Sequence, residues 1–407
     1  MAGYALTLDR NTWLGRLKAL LPYALVLVVW RLTYNLTGHG TGGNGFAIDP
    51  MGEPGAYLRA MLVRSPILIA GQLGLVQPDA FNALSAVIQS LVVMGAYVAL
   101  LVICWALMPV LRSSPQVRFW AIGMVLSALP ISASVPLTRN LMFVAIGAFG
   151  WIAQSAAVLW SEVGICVPRP SLRWARWLCG ELLVIHLPLT AAERIVHPKL
   201  AAFLVDLFGP AVQAEHLDLK GRDLIVVNAP NPFGLMYLPM MAADNGDAGP
   251  KRQQVLSPGW RTMEVQRLDE RTLVIRTREG HLFETDTSPP LHMVHLFREI
   301  ASLARPMDLP FEPNQTCTLS TMQVRVTALD ERRLPTEVTF RFNAPLDDPG
   351  FYWIEYDWSA FCYRRFQVPP IGQTIQILGP RPTSLARALR FIRDHTFHDL
   401  RPGLVQP

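Results

Sequence analysis

Apolar positions in the first half of this chain come in long unbroken runs, and in the second half they alternate. Residues 82–111 (NALSAVIQSLVVMGAYVALLVICWALMPVL) contain no Asp, Glu, Lys, Arg or His. About 20 apolar residues of helix cross a bilayer, so this run predicts a membrane span. The same reading predicts about five spans, at 17–35, 83–111, 117–134, 141–160 and 177–196. The last is the least apolar, because it carries Glu181, His186 and Pro188. Between the first two, residues 56–76 are apolar but broken by Arg59, Arg64 and Pro66. That pattern suggests an interfacial or re-entrant helix with its arginines at the headgroups.

From residue 221 onward the period changes to that of strands. Arg222–Asn228 reads as a buried strand stopped by Pro230 and Pro232. Thr262–Leu268 and Thr272–Arg278 flank Asp269-Glu270-Arg271 as a hairpin. Cys317–Ala328, Glu337–Asn343, Phe351–Tyr356, Phe361–Phe366 and Gln373–Leu378 continue the series, and Thr383 could cap a helix over about 384–397. The fold expected is an α-helical transmembrane bundle over 1–196, a linker over 197–220, and a mainly-β soluble domain over 221–407. That domain would be a sandwich or open barrel of antiparallel strands with a C-terminal helix.

Composition agrees with two differently solvated halves. The chain has 407 residues, of which 51% are hydrophobic and 16% charged, against about 25% charged in soluble domains. Its net charge of +5 is modest and its basic residues sit at span edges, which gives no reason to expect nucleic-acid binding. Residues 1–16 are mixed and no small-residue cleavage site follows the first apolar run, so that run is read as a retained span. Arg10, Arg16 and Lys18, then Arg112 and Arg118, then Arg169, Arg173 and Arg176 fall on one side of the predicted spans. The Lys/Arg bias makes that side cytoplasmic. Five spans then place 221–407 outside, in the periplasm if the membrane is a bacterial inner membrane; if 177–196 only lies on the surface, that domain is cytoplasmic.

Candidate chemistry concentrates on the predicted outer edge. His39-Gly40-Thr41-Gly42-Gly43-Asn44-Gly45 is the most glycine-dense stretch, and glycine lets backbone amides approach an anion. It lacks the GK[ST] of a Walker loop, so it is either a flexible turn or a cradle for a lipid phosphate. The residues shortlisted for headgroup or anion binding are Arg31, Gly42, Gly43, Asp49, Arg59, Arg64 and Arg139. Glu181 and His186 are ionisable groups at membrane depth, separated by about 140° of helical rotation. Cys317 and Cys362 are candidates for a disulfide in an oxidising compartment, or else buried thiols. His292 with His295 and His395 with His398 have a spacing that can hold zinc on a helix, but neither lies in a metalloenzyme pattern, and no metal or cofactor is implied. The aromatic stretch 351–366 reads as strand core, as a sugar-stacking platform or as a bilayer-facing aromatic edge. Ser257 has no context that would make it a nucleophile. Asn35 and Asn314 each head a three-residue glycosylation match.

Arg139 opens the segment Arg139-Asn140-Leu141-Met142-Phe143-Val144-Ala145-Ile146-Gly147. This resembles the start of a late span in TMTC-like C-type glycosyltransferases, matching at Arg139 and Ile146-Gly147 and departing at the tyrosines and the Pro-Ser pair. The resemblance covers residues 139–150 and implies a polyprenyl-phosphate sugar or an envelope glycan as partner, beside the lipid bilayer. It implies no catalytic residue here, since the half of those enzymes that carries the catalytic carboxylate has no counterpart among the five spans. The chain as a whole also resembles a group of uncharacterised bacterial multi-pass proteins with a β-rich tail. The sequence therefore supports a structural or interaction role in the envelope, with a glycosyltransferase fragment or non-catalytic relative as the alternative, and leaves open whether the chain is an enzyme.

Overall fold

The computed structural model describes residues 1–40, 47–82, 84–161, 169–192, 219–230, 235, 238–240, 248–278, 280–282, 309–360 and 362–379. The chain divides into two compact units, one of Met1–Ile195 with Pro289–Pro306, the other of Val196–Ser288 with Met307–Pro407.

The first unit is helical: α1 (Ala2–Thr7), α2 (Trp13–Leu36), α3 (Pro54–Gln72), α4 (Pro78–Asn82), α5 (Ala86–Ser113), α6 (Pro115–Ile131), α7 (Met142–Ser161) and α8 (Arg169–Val184). Thr12 caps α2 by accepting from the Gly15 amide, and Ser114 with Pro115 starts α6. Among the described residues, three helices are long and apolar enough to cross a membrane: α2, α5, and α7 together with the 3-10 turn Thr138–Leu141 that leads into it. Many apolar side chains of α2 and α5 are bare, while α7 buries one side in the helical core. No residue of α2 is buried, and Leu25, Val26, Leu27, Leu91, Val98 and Leu101 are all exposed. Such helices are at ease only where the surroundings are as apolar as they are.

The expected count of five spans is not supported. α6 has 17 residues, a rise of about 26 Å against about 30 Å of hydrocarbon, because Pro115 opens it and Pro130 closes it. α8 has 16 residues and carries Arg169, Arg173, Arg176 and Glu181. It runs into a π-helical turn, Ile185–Leu189, that contains Pro188. The stretch 56–76, expected as an interfacial or re-entrant helix, lies largely in α3 and continues past its end at Gln72. The second half of α3 is buried, with Ile67, Leu68 and Ala70 fully enclosed. Arg64 donates to the Ser132 and Ala133 carbonyls, both at 3.3 Å.

One core joins Leu68 and Leu73 to Ile103, Leu107, Met124, Ala128, Val144, Trp151, Cys179 and Leu182. α6 and α7 approach closely because glycine allows it. A Cβ on Gly147 would lie 2.5 Å from the Met124 backbone nitrogen, and Gly150 faces the Trp120 ring.

Among the described residues the second unit holds two sheets. A four-stranded sheet has the order β2 (Arg252–Val255), β1 (Asp223–Val226), β8 (Phe351–Asp357), β9 (Cys362–Arg365). A six-stranded antiparallel sheet has the order β10 (Thr374–Ile377), β3 (Met263–Arg267), β4 (Thr272–Thr277), β7 (Pro335–Phe342), β6 (Met322–Leu329), β5 (Thr316–Thr318). β1 is parallel to both neighbours, with Ile225 opposite Gln254 and Trp353, so the strands are not all antiparallel as expected. Both sheets contribute to one core, in which Ile225, Val265, Leu273, Phe340, Phe342, Trp353 and Phe366 meet. The segments expected to form a linker (197–218) and a C-terminal helix (384–397) lie outside the described residues.

Candidate functional site

Three of the shortlisted residues meet in one pocket of about 520 Å³, lined by the ends of α2, α6 and α7 and by residues 47–50. That is within the range of about 300–1,000 Å³ usual for small-molecule sites. Its wall is mostly apolar: Trp30, Tyr34, Ile48, Ile131, Met142 and Phe143. Its polar groups are Arg31, Asp49, Ser134, Arg139 and Asn140.

Local bonds shape it. Trp30 and Tyr34 fall one helical turn apart on α2, with ring centroids 5.3 Å apart. Residues 47–50 are tied to the end of α6 by the Ala47–Ser134 bridge and by the Ile48 amide, which donates to the Ala133 carbonyl at 2.8 Å. Asp49 folds its own loop by accepting from the Met51 amide at 3.0 Å. Its other oxygen accepts from Arg31 Nη2 at 2.5 Å, with both side chains about one-quarter exposed. The Arg31 guanidinium beside Asp49 holds its carboxyl below the usual carboxylate range. Arg31 Nε is buried and has no hydrogen-bond partner among the described residues, and the guanidinium carbon lies 5.9 Å from the Tyr34 ring centroid. Arg139 is exposed at the rim and has no ion-pair partner among the described residues. Trp30, Met142 and Phe143 are more than half exposed beside it.

The arrangement suits an amphiphile. Two guanidinium groups, one of them opposed by a carboxylate, border an apolar concavity at the ends of two apolar helices. Anion recognition by Arg is strong because its fork donates in a plane. Arg59 is exposed and does not line the pocket, and Arg64 is engaged by the α6 carbonyls behind it. Gly42 and Gly43 lie outside the described residues. Sequence reasoning missed Trp30, Tyr34 and Phe143. The only signal for the first two was their place beside Arg31 at the end of an apolar run, where interfacial aromatics collect.

Other candidates resolve differently. Cys317 on β5 is exposed, Cys362 on β9 is buried, and the structure keeps both as free thiols on different sheets. Burial pushes the Cys362 thiol up from its ordinary value. Ser257 is buried and accepts from the Gly259 amide at 3.3 Å, a local turn bond. The aromatic stretch 351–366 supplies core: Tyr352, Trp353, Tyr356, Trp358, Tyr363 and Phe366 are buried. His292, His295, His395 and His398 lie outside the described residues. Asp223 and Arg252 form a bidentate pair in a smaller polar pocket of about 200 Å³ at the start of β1. No protein-family model, no curated protein and no solved structure matches this chain.

Proposed function

We propose that this chain is a polytopic membrane protein of the bacterial cell envelope that holds an anionic amphiphile at the edge of the bilayer. The observation that carries the reading is the pocket itself, where Arg31, Asp49 and Arg139 surround an apolar hollow between the ends of α2 and α7. In this reading α2 ends, and α7 begins, on the extracytoplasmic side. Bonds that join distant parts of the sequence support a common edge there: Tyr57 to the Leu129 carbonyl at 2.9 Å, Asn82 to the Pro136 carbonyl at 2.7 Å, and Thr138 to Asp79. α3 and α4 then form a re-entrant hairpin on that side. This reading also needs α6 and α8 to cross as short spans, although neither is among the three helices long and apolar enough by themselves; α8 runs antiparallel to α7, since Arg176 bonds to the Leu159 carbonyl while His186 meets Phe149. The β-rich unit follows into the periplasm as an interaction domain. A phosphate carried on a polyprenyl or acyl chain has the right chemistry for the pocket: charge for Arg139 and Arg31, and hydrocarbon for Trp30 and Phe143.

The test is lipid binding to the purified chain in nanodiscs, read by native mass spectrometry. A phosphate-bearing lipid should bind in preference to a neutral lipid with the same chains. Arg139→Ala should weaken it by about 10- to 100-fold, since a hydrogen bond to a charged group is worth about 1.5–3 kcal/mol and each 1.4 kcal/mol is about tenfold. Equal affinity for the neutral lipid would sink the proposal. A second reading, a lipid-linked sugar transferase or its remnant, draws on Arg139, which both carries the resemblance and lines the pocket. Unchanged turnover of lipid-linked glycans in Asp49, Arg59 and Arg139 variants would remove it.

A further inference from the structure

The carboxyl end of α3 reaches the core of the helical unit at Gln72 and Leu73, both buried, and the last carbonyls of a helix have no amide of their own helix to accept from. The chain turns back at Gly74 (φ 77°), and a Cβ there would lie 2.5 Å from Ile185 Cγ2, so the π-helical turn at Ile185–Leu189 sits against this reversal. The Leu73, Gly74 and Leu75 amides donate to the Ile69, Gly71 and Ala70 carbonyls. The Gln72 carbonyl accepts from another element: His186 Nε2 lies 2.7 Å from it. The second ring nitrogen, Nδ1, lies 2.8 Å from the Leu182 carbonyl. Pro188 accounts for the wider turn that presents the ring, because it has no amide to donate. Single π turns inside helices recur at functional sites.

A carbonyl oxygen only accepts. A neutral imidazole has one N–H and one lone pair, so it can satisfy one of these carbonyls and must present a lone pair to the other. Both contacts are favourable together only when both ring nitrogens carry hydrogen. The negative end of the α3 dipole points at the same ring. Among the described residues, the charged groups on the surrounding elements are engaged elsewhere, exposed, or far along their helices. On α8, Arg176 bonds to the Leu159 carbonyl and Glu181 is exposed. On α3, Arg64 bonds to Ser132 and Ala133; on α4, Asp79 bonds to Thr138. α5 carries only Arg112 and α7 no charged residue. Phe149 offers the ring an edge contact, centroids 5.4 Å apart.

We propose that His186 is a proton-binding site that clamps α8 to the end of α3: the proton completes a bridge between the Gln72 and Leu182 carbonyls, and its loss releases one of them. The clamp stands whether or not the pocket beside α2 holds a lipid. Stability from it is present while both ring nitrogens carry hydrogen and is lost when one of those protons leaves. Histidine-selective ¹⁵N NMR of the full chain in nanodiscs, with His186→Gln to assign the signal, reads the ring directly. Thermal melting of both proteins from acid to alkaline pH reads the clamp. The expected result is a ring with two N–H groups at acid pH that loses one on alkalinisation, and a wild-type melting temperature that falls by several degrees as it does. His186→Gln, whose amide donates at any pH, should lack that fall. A ring with a single N–H from acid to alkaline pH, or a glutamine variant with the wild-type pH profile, would overturn the proposal.

Discussion

Asn228 tests how the parallel part of the second unit is held. It follows β1 by two residues and is fully buried. Its Nδ2 donates to the Tyr356 carbonyl at 3.0 Å and its Oδ1 accepts from the Tyr356 amide at 2.7 Å. The side chain thus extends the β1–β8 ladder by one amide beyond the last backbone pairing. Gly259 leaves room for it, since a Cβ there would come 2.6 Å from Asn228 Cβ. In Asn228→Ala both Tyr356 groups are stranded in a dry interior. Each stranded group costs about 1–3 kcal/mol, so the sum is about 2–6 kcal/mol, a large share of the roughly 5–15 kcal/mol that holds a domain folded. At a urea slope of about 2 kcal/mol/M the midpoint should fall by about 1–3 M. Asn228→Asp should do no better, because it keeps the acceptor but turns a second oxygen, and a charge, toward the Tyr356 carbonyl. The assay is urea unfolding of the detergent-solubilised chain followed by tryptophan fluorescence, with Ser359→Ala on the exposed turn as control. An unfolding free energy for Asn228→Ala within about 0.5 kcal/mol of wild type would refute the reasoning.

Asp49→Asn removes the carboxylate that opposes Arg31 and should tighten binding of a phosphate-bearing lipid by roughly tenfold, the counterpart of one charged hydrogen bond; native mass spectrometry in nanodiscs reads it. Glu264 is held below the ordinary glutamate range by its hydrogen bond with Arg276, with Arg278 adding to it. Its folded value is depressed, so its contribution is present above about pH 4.3 and lost as pH falls through that depressed value. Melting of Glu264→Gln should therefore be less acid-sensitive than that of wild type. Gly147→Leu would drive a side chain into the Met124 backbone, 2.5 Å from a bare Cβ, and should cost about 1–3 kcal/mol or more, seen as a lower melting temperature in detergent.

The apolar runs of α2, α5 and α7 were legible because a lipid-exposed helix needs compatible residues on every side, and such a run has no other use. The shortness of α6 followed from Ser114-Pro115 and Pro130, punctuation that a count of apolar residues overrides. α3 was harder. Arg59 and Arg64 resembled headgroup anchors, yet Arg64 has carbonyls at the end of α6 to satisfy, and burial of Ile67 and Leu68 depends on partners distant in sequence. β3, β4 and β7 followed from alternation, but alternation does not name a strand's neighbours, so the parallel position of β1 was not readable. β2 escaped notice because Arg252-Gln253-Gln254-Val255 is an edge strand, half-buried throughout, with no apolar period. Of the site, Arg31, Asp49 and Arg139 were found as charges at one predicted membrane edge. Phe143 could not be separated from its apolar run without the fold.

The most direct measurement is the environment of spin labels in bilayer-reconstituted protein. Labels at Leu27→Cys on α2 and Val98→Cys on α5, both more than half exposed, should relax with oxygen and ignore a water-soluble nickel chelate. A label at Arg139→Cys should meet the chelate at the bilayer edge. Relaxation of the Leu27 and Val98 labels by the chelate to the same extent would mean that water surrounds these helices, and would contradict the account.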